Sequence, residues 1–150
     1  MTDIDYMKVA LREATKAYKK GEVPVGAVIV YQDKIIAKAH NLREHKNSVF
    51  AHAEAIAIAK ANKHFKCFHL EGCTLYITLE PCPMCAGAIV QSRISKVVYG
   101  APETKGGCAG SFINLLDMKF QAPKIELTKG ILEEECASLM KAFFIEIRKK

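Results

Sequence analysis

The stretch Thr78-Leu79-Glu80-Pro81-Cys82-Pro83-Met84-Cys85 decides how the rest of the chain is interpreted. The apolar residues just before it are typical of a strand. Its two prolines favour the start of a helix, because proline lacks the N–H that would be unpaired in the first helical turn. Cys82 and Cys85 can then project from one turn toward one point, as metal ligation requires. Taken alone, this Cys-x-x-Cys also fits a redox motif or a buried pair of thiols.

A second short motif, His52-Ala53-Glu54, lies earlier in the chain and also begins an apolar helix. Thiolate and imidazole together are ligands that suit zinc. Three protein ligands, His52, Cys82 and Cys85, leave one tetrahedral position for water, which is the arrangement of catalytic zinc. We therefore predict a Zn²⁺ site at these three residues. Glu54 is the predicted catalytic residue, a carboxylate that takes a proton from the water and returns it to a leaving nitrogen.

Two rival interpretations of the cysteines remain open. A structural zinc with four ligands could use Cys67 or Cys73, although it leaves His52 and Glu54 without a role. A zinc-stabilised RNA-binding module without catalysis is the second rival, and the intact His-x-Glu argues against it. The cysteines outside the Cys-x-x-Cys are interpreted as buried or free thiols.

Length and composition favour one domain over residues 1–150, with half of the residues apolar and a net charge of +6. The positive charge permits a polyanionic partner such as nucleic acid, and is weak evidence for one. No apolar run approaches the roughly 20 residues of a membrane span, so no membrane association is expected. The acidic start, Met1-Thr2-Asp3-Ile4-Asp5, is unlike a secretory signal. We therefore expect a cytoplasmic protein with free thiols rather than disulfides.

Hydrophobic periodicity and turn residues predict the order of secondary structure. The expected helices span residues 3–20, a segment from 52, 83–92, a short segment over 111–117, and 132–147. The expected strands span 25–30, 35–39, 74–78, 96–99 and 125–128. A hairpin followed by alternating strands and helices favours an α/β fold, a three-layer α/β/α arrangement around one mixed five-stranded sheet.

At these residues the chain resembles the cytidine and deoxycytidylate deaminase superfamily, whose zinc nucleobase deaminases carry His-x-Glu followed by Pro-Cys-x-x-Cys. Within it, the chain is most similar to the bacterial tRNA-specific adenosine deaminases. The similarity covers nearly the whole chain. It includes the blocks Glu22-Val23-Pro24-Val25-Gly26-Ala27-Val28, His40-Asn41, Met84-Cys85-Ala86-Gly87-Ala88, Ser92-Arg93-Ile94, Lys105-Gly106-Gly107-Cys108-Ala109-Gly110-Ser111, Gly130-Ile131-Leu132, Glu135-Cys136 and Phe143-Phe144.

The resemblance implies zinc-dependent hydrolytic deamination of adenosine to inosine at the wobble position of a tRNA anticodon, by a homodimer with a cytidine-deaminase-like fold. The alternative is the same chemistry on a free base or nucleotide, such as guanine, cytidine or deoxycytidylate. The implied partner is a tRNA anticodon stem-loop. Asn41 would hydrogen-bond the flipped-out base, and Glu103 and Lys105 would line the anticodon groove. The resemblance further implies that Phe144 and Arg148 contact flanking nucleotides. Phe143 fits the apolar stripe of its helix, so Phe144 is the phenylalanine expected to be exposed.

Overall fold

A computed structural model describes residues 1–117 and 124–149 of the chain, and these contain five strands and four helices. In chain order they are α1 (Asp3–Lys19), β1 (Gly26–Tyr31), β2 (Lys34–His40), α2 (Ala53–Phe65), β3 (Cys73–Leu79), α3 (Pro83–Ser92), β4 (Lys96–Ala101), β5 (Glu126–Lys129) and α4 (Glu133–Arg148). Each lies within a few residues of its predicted position.

The strands form one mixed sheet in the order β2-β1-β3-β4-β5. Strand β1 is antiparallel to both β2 and β3, whereas β3–β4 and β4–β5 are parallel pairs. The predicted mixed five-stranded sheet is therefore confirmed. The carboxyl end of the central strand β3 leads directly into the Cys-x-x-Cys stretch.

Both faces of the sheet are covered by helices, which explains why β1 is apolar along its whole length. Successive side chains of a strand point to opposite faces, and here Ala27 and Ile29 join the core cluster under α2 and α3. Val28 and Val30 join a second cluster, which contains residues of α1 and α4. A strand buried on both faces reads as a continuous apolar run. The three-layer α/β/α arrangement is confirmed.

The predicted short helix over residues 111–117 is wrong. This segment forms turns and a single bridge between Ala109 and Asn114. The physical reason lies outside the segment, since the carboxylate of Glu80 accepts hydrogen bonds from the backbone N–H groups of Ala109 and Ser111. These contacts hold the backbone in a turn that crosses the end of β3.

The last helix, α4, has one buried and one partly exposed phenylalanine at its centre. Phe143 is 5% exposed, whereas the adjacent Phe144 is 41% exposed.

No helix in the described part of the chain is long and apolar enough to cross a membrane.

Candidate metal and active site

The three predicted metal ligands meet where two helices begin. His52 and Cys82 are the N-cap residues of α2 and α3, with extended backbone and no capping hydrogen bond from either side chain. Cys85 follows in the first turn of α3. All three side chains offer donor atoms that lie within 4.8 Å of one another. The two helix starts therefore leave these side chains free to share one centre.

The spacing of the donor atoms fits a tetrahedral zinc site. His52 Nδ1 lies 3.6 Å from Cys82 Sγ and 3.5 Å from Cys85 Sγ. A sulfur bound at about 2.3 Å and a nitrogen bound at about 2.1 Å around a tetrahedral centre are about 3.6 Å apart. Imidazole and thiolate are also ligands that zinc prefers. The residues present thus match this metal in chemistry and in spacing.

The protonation of the two thiols supports the same interpretation. A hydrogen bond from Cys85, together with one from His52, lowers the pKa of Cys82 to about 4. The pKa of Cys85 is raised, because its proton is shared with the Cys82 thiolate and because the group is buried. The hydrogen bond to Cys82 also raises the pKa of His52. The three donor atoms therefore already interact around one point, which is where a divalent cation would be held.

Glu54 lies beside this group and is 4% exposed. Burial and the neighbouring Cys82 thiolate together raise its pKa to about 7, against the opposing effects of hydrogen bonds and of His52. A carboxyl group with a pKa near neutrality can both accept and donate a proton at physiological pH. This is the property that a proton shuttle requires.

A cavity of about 170 Å³ opens onto the candidate metal ligands His52 and Cys82 and onto Glu54. Its wall combines apolar side chains with polar groups; among them are Val23, Val25, Leu79, Asn41, Glu54 and Glu103. A largely apolar cavity with a few converging polar groups is typical of a small-molecule site.

The structure brings two of the five predicted substrate-binding residues to this cavity. The Asn41 amide donates to the Val23 carbonyl (3.2 Å) and accepts from the Arg43 N–H (3.1 Å). The Glu103 carboxylate accepts from the N–H groups of Lys105 (3.2 Å) and Gly106 (2.6 Å), which shapes the following turn. The other three residues, Lys105, Phe144 and Arg148, do not line the cavity.

Glu80 is a structural residue of the site that the sequence analysis missed. It is 2% exposed, and its carboxylate accepts backbone hydrogen bonds from Glu103 (3.0 Å), Ala109 (2.9 Å) and Ser111 (2.9 Å) and another from the Ser111 hydroxyl. A side chain at Gly107 would collide with it. An acidic residue at the end of an apolar strand was the available signal.

Glu22 has the same role on the opposite side of the cavity. Its carboxylate is 1% exposed and accepts from the N–H groups of Glu44 (3.1 Å) and His45 (2.8 Å) and from the His45 ring (2.8 Å). It thereby fixes the turn that follows Asn41. Two buried carboxylates, Glu22 and Glu80, hold the loops that flank the cavity.

The fold and the site define a class: a three-layer α/β/α protein with a His/Cys/Cys group and a buried glutamate at two helix starts is a deaminase of the cytidine deaminase superfamily. A family model described as MafB19-like deaminase matches residues 1–148, and the chain belongs to this family.

Individual relatives have narrower names. The chain is 55% identical over 145 residues to the tRNA-specific adenosine deaminase of Bacillus subtilis, covering 97% of this chain and 90% of the relative. A solved structure from studies of A-to-I editing by tRNA:A34 deaminases at the wobble position is 38% identical, with a TM-score of 0.86, covering 90% of this chain and 98% of that one. A guanine deaminase structure from Bacillus subtilis is 40% identical, with a TM-score of 0.67, covering 74% of this chain and 71% of that one.

Proposed function

We propose that this protein is a zinc-dependent hydrolase that converts adenosine to inosine at the wobble position of a tRNA anticodon. The observation that carries the proposal is the convergence of His52, Cys82 and Cys85 donor atoms beside the buried Glu54, at the base of one cavity. The name of the relative that is 55% identical over nearly the whole chain supports the choice of substrate.

Each residue has a definite task in this reaction. His52 would bind zinc through Nδ1, and Cys82 and Cys85 would bind it as thiolates. When bound, zinc supplies a Lewis acid that lowers the pKa of a water to about 7. Glu54 would take one proton from the attacking water and deliver it to ring nitrogen N1 as C6 becomes tetrahedral. It would then take the remaining proton from the new C6 hydroxyl and deliver it to the amino group, which leaves as ammonia. A pKa of about 7 suits Glu54 to both directions of transfer.

The proposed substrate contacts fall into an inner and an outer group. In the cavity, one N–H of the Asn41 amide is used by the Val23 carbonyl, and the second would face the flipped base. Glu103 would contact the reacting nucleotide near the mouth. Lys105, Phe144 and Arg148 lie outside the cavity lining, so we propose that they contact flanking nucleotides by charge and by aromatic stacking.

We also propose that the protein acts as a homodimer in the cytoplasm. The resemblance to the tRNA-specific adenosine deaminases is the reason, and α3, which carries no charged residue and is only partly buried at Gly87 and Ala88, is a surface that could pack against a second copy. Light scattering at micromolar concentration tests the dimer, and a monomer mass would contradict it.

The proposed cytoplasmic location is supported by the cysteines. The six cysteines form no disulfide in the described structure, which suits a reducing compartment.

A panel of substrates tests the proposed function. Purified zinc-loaded protein is incubated with an anticodon stem-loop RNA and, separately, with free guanine, cytidine and deoxycytidylate. The proposal predicts inosine in the RNA and no ammonia from the other three. Ammonia from a free base or nucleotide, with no inosine in the RNA, would favour the alternative chemistry on small substrates.

A further inference from the structure

We propose that Arg43 binds a backbone phosphate next to the reacting nucleoside, so that the site selects a nucleotide within a strand over a free base or nucleoside. The inference rests on the proposed function and adds a residue to it that neither the zinc site nor the proton shuttle requires. It follows from the charge, the pairing and the position of this side chain.

Among the residues that the structure describes, Arg43 is the only lysine or arginine that lines the cavity. Two acidic residues of the same wall are engaged elsewhere, since Glu80 accepts four hydrogen bonds and Glu103 accepts two. Over residues 1–117 and 124–149, the Arg43 guanidinium lies within 4 Å of no carboxylate, whereas Arg93 is paired with Glu71. The cavity therefore presents one positive side chain without an acidic partner.

The backbone of Arg43 is fixed by the residues on either side of it. The Asn41 side chain accepts the Arg43 N–H at 3.1 Å, and the Leu42 N–H donates to the Ala51 carbonyl at 2.9 Å. The buried Glu22 carboxylate holds the next N–H, that of Glu44. Asn41 thus connects the proposed base contact to Arg43. A fixed backbone reduces the entropy that the side chain loses when it binds a ligand.

The chemistry of the guanidinium points to phosphate. Its five N–H donors form a planar fork that matches phosphate oxygens, and it stays charged at all working pH values. A flipped-out nucleotide places its base in the pocket, while its sugar and phosphates remain at the mouth. Arg43 is exposed at that mouth. A free base or nucleoside offers no anion there and would not use this contact.

Single-turnover deamination of an anticodon stem-loop RNA tests the proposal, with Arg43→Gln as the variant. Lys46→Gln is the matched control, because Lys46 is an exposed cation of the same loop that does not line the cavity. Two further RNAs carry a neutral methylphosphonate in place of the phosphate 5′ or 3′ of the target adenosine. Zinc content and melting temperature are measured for each protein.

Loss of one charge-assisted contact should raise the half-saturating RNA concentration of Arg43→Gln by about tenfold or more, while the maximal rate stays at the wild-type value. Lys46→Gln should behave as wild type. For the wild type, one of the two methylphosphonate RNAs should have a half-saturating concentration that is raised by a similar factor. For Arg43→Gln, the same RNA should have no higher half-saturating concentration than the unmodified RNA. Arg43→Lys should recover part of the loss, since it restores the charge without the fork.

Three results would overturn the proposal. The first is the same half-saturating RNA concentration for Arg43→Gln and wild type. The second is a methylphosphonate that raises this concentration equally in both proteins. The third is a wild-type protein whose half-saturating concentration is unchanged by a methylphosphonate at either position. The last needs no variant, so it decides the matter even if Arg43→Gln folds poorly. Absence of inosine with the wild-type protein would count against the proposed function itself and is distinguishable from these outcomes.

Discussion

Replacing Glu80 by glutamine should loosen the loop that carries Glu103 and closes one side of the cavity. The carboxylate is buried, and its two oxygens accept three backbone N–H groups and one hydroxyl. An amide has the same shape but only one acceptor oxygen. If the amide oxygen faces Ala109 and Ser111, the NH2 group faces the N–H of Glu103 and the hydroxyl of Ser111, and only the hydroxyl can turn to accept.

The magnitude follows from the number of donors left without a partner. Glu80→Gln leaves one partly buried backbone N–H, that of Glu103, without an acceptor, which costs about 1–3 kcal/mol of folding free energy. Glu80→Ala leaves three backbone N–H groups without an acceptor, so it should lower the folding free energy by more than Glu80→Gln does. Burial raises the pKa of Glu80, but hydrogen bonds from Ser111, Ala109 and Glu103 outweigh it and hold the pKa below its ordinary value of 4.5. This contribution is therefore present above pH 4.5 and is lost as the pH falls through the lowered pKa.

Chemical denaturation at pH 7 and at a series of lower pH values measures the effect. Glu71→Gln is the control, because that side chain is 61% exposed. We expect Glu80→Gln to unfold at lower denaturant concentration than wild type, by a difference that shrinks below pH 4.5, and to deaminate RNA less efficiently. Unfolding midpoints that coincide at pH 7 would refute the reasoning.

Three further predictions concern the metal, the shuttle and α4. Zinc at one thousand times its dissociation constant should stabilise the protein by about 4 kcal/mol, seen as a lower melting temperature after chelation, and Cys82→Ser should lose this response. Because the folded pKa of Glu54 is raised from 4.5 to about 7, metal-free wild-type protein loses stability as the pH rises between these values; metal-free Glu54→Gln should be more stable at pH 8 by up to about 3 kcal/mol, and equal pH dependence of the two would contradict it. Phe143→Ala should cost about 3–5 kcal/mol in denaturation because Phe143 is buried, whereas Phe144→Ala should mainly weaken RNA binding; the reverse pattern would contradict the proposed stacking role.

The sequence predicted those features that depend on local pattern. The apolar run at residues 25–30 predicted the strand β1, and the two prolines of the opening stretch predicted the start of a third helix, which the structure places at Pro83–Ser92. The metal group could be predicted because histidine, glutamate and two cysteines at helix starts are a rare combination. Its convergence at 3.5–3.6 Å needed the fold.

The missed features depend on contacts between residues far apart in the chain. Glu80 reaches Ser111 across 31 positions, and Glu22 reaches His45 across 23. The periodicity of the sequence does not predict such a contact. The hydrogen bonds to Glu80 override the local preference that predicted a helix over 111–117. Arg43 acquires significance only because no other lysine or arginine of the described residues lines the cavity and the carboxylates of Glu80 and Glu103 already accept hydrogen bonds.

The role proposed for Glu54 is proton transfer during a deamination at the metal site of His52, Cys82 and Cys85. The most direct measurement compares wild type and Glu54→Ala, each loaded with zinc and with the metal content quantified, for inosine in an anticodon stem-loop RNA. We expect the same zinc content in both proteins and inosine only with the wild type. Full inosine formation by Glu54→Ala, or loss of zinc from that variant, would contradict it.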